Sequence, residues 1–338
     1  MKVLVFGDVH WSTYSSILRS RDEKYSTRLK LLINSMNWVE SFAKKENVDI
    51  VVGLGDFFDK ESLTSEEITA LKEINWSNIE HYFLIGNHEM GRNDLAFSST
   101  QVFNRDKFYV IEGYLSISYF NENSTLVFFP YILNPTKEEF EKIYSDNQTV
   151  IIFSHNDIAG IQLGKYVSKS GFEIKDIEDN CSLFINGHLH NGEKITDKII
   201  NLGNLTGQNF SEDASIYSHN IMILDTENLE YELIENPYAI NFYKLDATHI
   251  TPNLHALKNN SVVTLKCYEN DLEFWKEEIK KYDNIIENRI ILEKENNADC
   301  LKIDELNSND HISEFRKYVL EKIGSSDLIL EELSEVCK

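Results

Sequence analysis

Five short blocks of the chain carry acids, an amide and imidazoles, four of them beside a glycine. They are Asp8 and His10 in "GDVH", Asp56 and Asp59 in "GDFFD", Asn87, His88 and Glu89 in "GNHE", His155 in "FSHND", and His188 and His190 in "NGHLH". Taken singly, each residue has an ordinary alternative: Asp and Asn cap helices, and a histidine at a strand end is more often hydrogen-bonded than metal-bound. For His155 alone the ordinary reading leads. Together, imidazole, carboxylate and amide oxygen suit borderline divalent ions such as manganese, iron or zinc better than a thiolate-bound metal or an all-oxygen calcium site. Residues i and i+2 share a face in an extended segment, so Asp8 with His10, and His188 with His190, are each expected to aim two ligands into one cavity. Two neighbouring ions would be fed in this way.

Such a site needs elements that bring the five blocks to one place. Each block follows a short apolar run that reads as a buried strand: "KVLVF", "DIVVG", "HYFLI", "TVIIF" and "SLFIN". Between the first two runs, Leu29, Leu32, Ile33, Met36, Val39 and Ala43 recur at helical spacing in "STRLKLLINSMNWVESFAKKEN". The strand, helix, strand rhythm predicts an α/β fold with functional loops beyond the carboxyl ends of the strands. From about Ile199 the texture changes to strand-like segments, and the first domain closes over this stretch, its boundary set at residue 238. A small α/β module follows over residues 239–304: strand "SVVTLKCY", helix "DLEFWKEEIKKY" opened by an Asp cap, strand "IIENRIILEK". Residues 305–338 carry two short helical patterns separated by "GSSD".

Composition bounds the function. The net charge of −23 over 338 residues excludes a protein that coats the DNA backbone with its whole surface. Any nucleic-acid contact is local, and Arg19, Arg21 and Arg28 in "LRSRDEKYSTRLK" are the candidates, against the equal alternative of a solvated face. The four cysteines are scattered without a C-x-x-C pair, so reduced thiols are expected. No run approaches the roughly 20 apolar residues of a membrane span, and the start runs directly into a strand; a cytoplasmic location is expected.

The five blocks in order resemble the signature of the calcineurin-like metallophosphoesterases: D-x-H, G-D-x-x-D, G-N-H-[D/E], a lone H, and G-H-x-H. The resemblance implies a β-sandwich flanked by helices in α-β-β-α layers. It implies that Asp8, His10, Asp56 and His190 hold one ion and Asp56, Asn87, His155 and His188 the other, with Asp56 bridging. Two divalent ions, most often manganese in such enzymes, would activate a water and offset charge on a phosphoryl group. His88 would assist as the catalytic imidazole and Asp59 would support the site from behind, although a helix cap is an equal reading of Asp59. Glu89 stands where many relatives have Asp, which touches the orientation of His88.

Beyond G-H-x-H, "NLGNLTGQNFSEDASIYSHNIMILD" resembles the SbcD-type branch of DNA double-strand-break nucleases, where G-S-x-x-x-x-S-F-x-E leads to a strand and a capping domain. Phe210, Ser211 and Glu212 match, while Gly203-Asn204 replaces Gly-Ser and Trp11-Ser12 replaces Leu-Gly. In length the chain is most similar to the recombination nuclease subunits of T-even-type phages. This implies a DNA nuclease, 3'-5' exonuclease and single-strand endonuclease, able to dimerise. Its partner would be a coiled-coil ATPase of the SbcC type, docked on the terminal helices through Ile312, Phe315, Val319, Ile323, Ile329 and Leu333. Two other readings stand beside it. One is a stand-alone metallophosphatase or small-molecule phosphodiesterase, although Lys60-Glu61 after Asp59 departs from the phosphoprotein phosphatase extension G-D-x-x-D-R-G. The other is a non-catalytic scaffold for the ATPase, which degenerate ligand blocks would favour; here the blocks are intact.

Overall fold

In the computed structural model, residues 1–119, 123–143, 149–163 and 166–294 are described. The six residues expected to bind an ATPase, together with Cys300 and Cys337, lie outside them. Chain order opens with β1 (Lys2–Phe6), α1 (Thr27–Glu46), β2 (Ile50–Gly53), α2 (Ser65–Ala70), β3 (Glu80–Leu84), β4 (Phe108–Ile111), β5 (Leu115–Tyr119), β6 (Ser124–Phe129) and β7 (Thr149–Ser154). A short hairpin, β8 (Gln162–Leu163) and β9 (Tyr166–Val167), precedes α3 (Ile174–Asn180), β10 (Leu183–Asn186), β11 (Glu193–Lys194) and β12 (Ile199–Asn201). The chain then forms β13 (Asn220–Asp225), β14 (Tyr231–Glu235), β15 (Asn241–Asp246), β16 (Ser261–Tyr268), α4 (Leu272–Ile279) and β17 (Ile285–Glu293).

Two six-stranded sheets, in the orders β14-β13-β1-β2-β3-β4 and β11-β12-β10-β7-β6-β5, form a sandwich. Alternation along β1 shows why. Val3 and Val5 turn inward with Ile50, Val52 and Leu84 to meet Phe128, Ile151, Phe153 and Ile185 of the second sheet. Leu4 and Phe6 turn outward beneath Leu29, Leu32, Met36 and Val39 of α1. On the far face, Val127, Phe129, Ile152 and Phe184 pack against Ile177 of α3. Strands buried on both faces explain the unbroken apolar runs. The layers are helix, sheet, sheet, helix, the α/β architecture the blocks imply.

Strands β1, β2, β3 and β4 are mutually parallel, as are β6, β7, β10 and β12. The strand-like texture after Ile199 is not all beyond the sandwich: β12 completes the second sheet, and β13 returns antiparallel to β1 in the first. A third, parallel sheet, β15-β16-β17, carries α4 over its own core of Val263, Leu265, Cys267 and Trp275. Asp271 stands at the N-cap of α4 but with helical backbone angles, so its carboxylate makes no capping bond there, contrary to the expected Asp cap. The described cysteines, Cys181 and Cys267, are free thiols. Among the described residues no helix is long and apolar enough to cross a membrane.

Candidate metal centre

The carboxyl ends of β1, β2, β3, β7 and β10 deliver all five blocks to one edge of the sandwich. Asp8, His10 and His190 converge, as do His10, Asp56 and His88, and Asp56, His155 and His188; within each group the donor atoms lie inside 4.8 Å of one another. Asp56 belongs to two groups because one oxygen faces both ways: Oδ2 lies 3.2 Å from His155 Nε2 and 4.0 Å from His10 Nε2. Asn87 joins through Oδ1, 3.3 Å from His155 Nε2. Asp8, His10, Asp56 and His155 are buried, whereas the His190 side chain keeps 29% and the His88 side chain 44% exposure, so the centre has an open side.

The main chain reaches this arrangement by another route than strand alternation. Asp8, His10, Asp56 and His188 all have positive φ, at 36°, 49°, 48° and 73°. The expected extended i, i+2 pairing is therefore incorrect: the ligand loops are tightly turned, and each non-glycine residue in the left-handed region is held there by its surroundings. His10 N and Trp11 N donate to the carbonyls of Asp56 and Phe57, tying the first two loops together. His188 N donates to both oxygens of Asp8 at 3.1 Å, and His88 N to Asp56 Oδ1 at 2.9 Å. Gly55 turns with φ +97°, where a Cβ would strike His155 Nδ1 at 2.5 Å.

Each of the four candidate ligand histidines has its remote nitrogen facing an oxygen. His10 Nδ1 donates to Asp59 Oδ1 at 3.2 Å and His155 Nδ1 to the Leu54 carbonyl at 2.7 Å. His188 Nε2 lies 3.3 Å from Asp157 Oδ1, and His190 Nδ1 lies 3.7 Å from Glu212 Oε1. This selects the nitrogen each ring offers inward: Nε2 for His10, His155 and His190, Nδ1 for His188. In their neutral rings His10 Nε2 and His190 Nε2 would then point lone pairs at each other across 3.1 Å, beside Asp8. Such a place calls for a cation or a proton, and the donors present fit a pair of borderline divalent metals.

Electrostatics run the same way. Burial pulls the His155 imidazolium down, but the Asp56 carboxylate outweighs it and raises the group to about 9. Burial raises the Asp56 carboxyl, yet His155 and the surrounding imidazoles hold it well below the usual carboxylate range. Burial lowers His10, only partly offset by Asp59. For His190 burial is outweighed by Glu212 and Asp8, and its pKa rises.

The supporting residues separate into roles. Asp59 is no helix cap: α2 is capped by Thr64 in a reciprocal box with Glu67, while Asp59 faces His10. Glu89 does not bond the His88 ring; buried, it accepts from Gly86 N and Phe58 N and clamps two ligand loops, and burial beside Asp56 raises it to about 7. Of the three candidate DNA-contacting arginines, Arg19 and Arg21 are exposed and Arg28 is buried. The Arg28 guanidinium donates to the His10 carbonyl at 3.0 Å and to Gln208 Oε1 at 2.6 Å, which makes it a brace behind the centre. Asp157 carried no role in the sequence; its signal is its place two residues after His155. Glu212, noted there only as a pattern match, also accepts from Asn204 Nδ2, so the Asn204 that replaces serine is used as a buried strut.

Two clefts open onto the centre. One, of about 450 Å³, starts at Asn87 and runs between Met90, Tyr114, Tyr131 and Leu133. The other, of about 300 Å³, starts at His188 and His190 and is bordered by Ser211 and Tyr217.

Comparison with known proteins bears on this geometry. No curated protein matches the chain by sequence. Similar solved structures include a dimetal phosphatase from Danio rerio, with 14% identity over 70% of this chain and 98% of that one and a TM-score of 0.39. A calcineurin-like phosphoesterase, YfkN from Bacillus subtilis, has 11% identity over 70% of this chain and 88% of that one, with a TM-score of 0.39. Yfce, a phosphoesterase from E. coli, has 12% identity over 70% of this chain and 100% of that one, with a TM-score of 0.32. Residues 1–192, which include all five blocks, match the calcineurin-like phosphoesterase family, and the chain belongs to that family.

Proposed function

We propose that this metal-dependent phosphoesterase is a DNA nuclease, cutting phosphodiesters as the manganese-dependent subunit of an SbcCD-type complex. The observation that carries the reading is the pair of clefts meeting at one half-open centre, past Asn87 and past His188 and His190. A diester carries a substituent on each of two oxygens, and two clefts accommodate both; a monoester needs one. The match of Phe210, Ser211 and Glu212 to the SbcD-type pattern and the three-stranded module after the sandwich support the same branch.

Bound at these donors, two divalent ions would supply an activated water and charge neutralisation for the phosphoryl group. The chain's own residues do the rest. Asp8, His10, Asp56 and His190 would hold one ion and Asp56, Asn87, His155 and His188 the other, with Asp59, Leu54, Asp157 and Glu212 fixing which imidazole nitrogen faces inward. His88, exposed and with Nδ1 3.3 Å from the Asp59 carbonyl, is free to present Nε2 to a leaving oxygen and, in its imidazolium form, would give it the Nε2 proton and become the neutral Nδ1–H ring. The acidic surface, net −23, leaves the DNA charge to be met by an ATPase partner docked through residues 305–338.

The test is cleavage of single- and double-stranded DNA with manganese, with and without the ATPase, comparing wild type with His88→Ala and His190→Ala. Both variants are expected to lose activity, His88→Ala while retaining metal. Turnover of a bis-aryl phosphodiester with no DNA cleavage in any condition would replace this reading with a small-molecule phosphodiesterase. Deletion of residues 305–338 is expected to abolish co-purification with the ATPase; undiminished association refutes that docking site.

A further inference from the structure

The cleft past Asn87 has a composition unlike the centre it adjoins. Its walls are Met90, Tyr114, Tyr131 and Leu133, and Tyr131 stands at the inner end with its ring 6.0 Å from that of His188. Leu133 is 70% exposed at the border of the cleft, an apolar surface left to water. Tyr114 lines the cleft with its ring, while its hydroxyl is turned away from solvent. The acid on the wall, Glu139, is paired with Lys142, so among the described residues lining the cleft there is no unpaired cation for a phosphate. A phosphate therefore belongs at the metal donors, and the cleft suits the flat, apolar group attached to it.

We infer that this cavity seats a nucleobase of the strand being cut, with the base between Tyr131 and the Leu133–Met90 wall. The assignment rests on the nuclease reading and names its substrate contact. At about 450 Å³ the cavity lies within the size range of small-molecule sites, and a base against aromatic walls gains stacking that tolerates any sequence. Base preference is accordingly weak, and the subsite would accept strand ends of any composition.

Gly113 provides the test, because it borders the cavity and a Cβ placed there meets no atom within 4 Å. Gly113→Trp fills the cavity from open space, and Leu133→Ser removes apolar surface at an exposed position where folding is not at stake. Two manganese-supported substrates share one leaving group: thymidine 5'-(p-nitrophenyl phosphate) and methyl p-nitrophenyl phosphate. The expected result is a fall of about tenfold or more in the nucleoside-to-methyl ratio of kcat/KM for Gly113→Trp and a smaller fall for Leu133→Ser, with the methyl ester within about twofold of wild type. Calorimetry with thymidine 5'-monophosphate is expected to show weaker binding to both variants. An unchanged ratio in a wild type that does cut DNA overturns the base subsite alone. Equal losses on both esters overturn it in favour of a leaving-group pocket. A wild type that cuts the methyl ester but neither the nucleoside ester nor DNA overturns the nuclease reading itself.

Discussion

Replacing Gly86 by alanine should disable the centre through one methyl group. Gly86 follows β3, and a Cβ on it would lie 2.1 Å from Asp56 Oδ1 and 2.5 Å from Asp56 N, where ordinary contact begins at 3.4 Å. The carboxylate or the loop must therefore retreat by more than about 1 Å. Asp56 cannot yield without loss on both sides: Oδ1 accepts from His88 N at 2.9 Å, and Oδ2 is the oxygen that faces His155 and His10. Gly86 is fixed as well, its N–H bonded to Glu89 at 2.8 Å. A misplacement of about 1 Å at a reacting centre costs on the order of 100-fold in rate, and overpacking costs about 1–3 kcal/mol of stability. The assay is kcat/KM on bis(p-nitrophenyl) phosphate with manganese, beside metal content and a thermal melt. Gly113→Ala serves as the control, since its added methyl has open space. Gly86→Ala should lose about two orders of magnitude in kcat/KM and bind the metal pair more weakly, while melting as one cooperative unit. Activity within twofold of wild type, at full metal content, would refute the claim that Asp56 is wedged between the two halves of the site.

Three further outcomes follow from the same contacts. Asp157→Asn and Glu212→Gln should each weaken metal binding by about 10- to 100-fold in calorimetry, because each replaces the carboxylate facing the remote nitrogen of a candidate ligand histidine by a neutral, weaker-accepting amide; wild-type affinity in either variant would deny that carboxylate an orienting role. In the metal-free protein His155 titrates near 9 rather than 6.5, so its contribution to stability is full below 6.5 and is lost as pH rises through about 9. Metal binding at pH 7 should accordingly release a proton, seen as a dependence of the calorimetric enthalpy on the ionisation enthalpy of the buffer. Far from the centre, buried Glu40 pairs with His81 Nε2 at 2.9 Å and accepts from Ser77 N at 2.7 Å. Burial raises this carboxyl, but His81 and Ser77 hold it below 4.5, so its contribution is present above 4.5 and vanishes as pH falls through the lower folded value. Glu40→Leu should cost about 3–5 kcal/mol in urea melts at pH 7 and distinctly less in acid; an equal loss at both would remove the ion pair as its cause.

What the sequence made legible is what strand tips impose. A parallel strand buried on both faces shows as an apolar run, and the residues just after it must gather at one edge, so Asp8, Asp56, Asn87, His155 and His188 group together on the sequence alone. Their backbone could not be anticipated from that pattern. The positive φ of Asp8, His10, Asp56 and His188 depends on bonds such as His10 N to the Asp56 carbonyl, between segments far apart in sequence. Arg28 shows the same limit. Beside Arg19 and Arg21 it reads as surface charge, and only its place on the buried side of α1, under Gln208, turns it into a brace for the His10 loop. The strands β16 and β17 and the helix α4 were visible from their alternation of pattern, whereas the return of β13 to pair with β1 leaves no local mark.

The two histidines of "NGHLH" show how the distal contacts decide the chemistry. Two positions apart, they could have served a single ion. Instead His188 turns Nε2 to Asp157, beyond β7, and offers Nδ1 to the His155 side, while His190 turns Nδ1 toward Glu212 and offers Nε2 to the His10 side. The glycine before them permits the loop, with a Cβ there meeting the Leu54 carbonyl at 2.9 Å and Asp8 Oδ2 at 3.0 Å. The loop can therefore pass between the two halves of the centre rather than beside one of them. Opposite nitrogens on successive histidines, each set by its own carboxylate, let one short segment serve both halves, and Asp56 joins those halves from the other side.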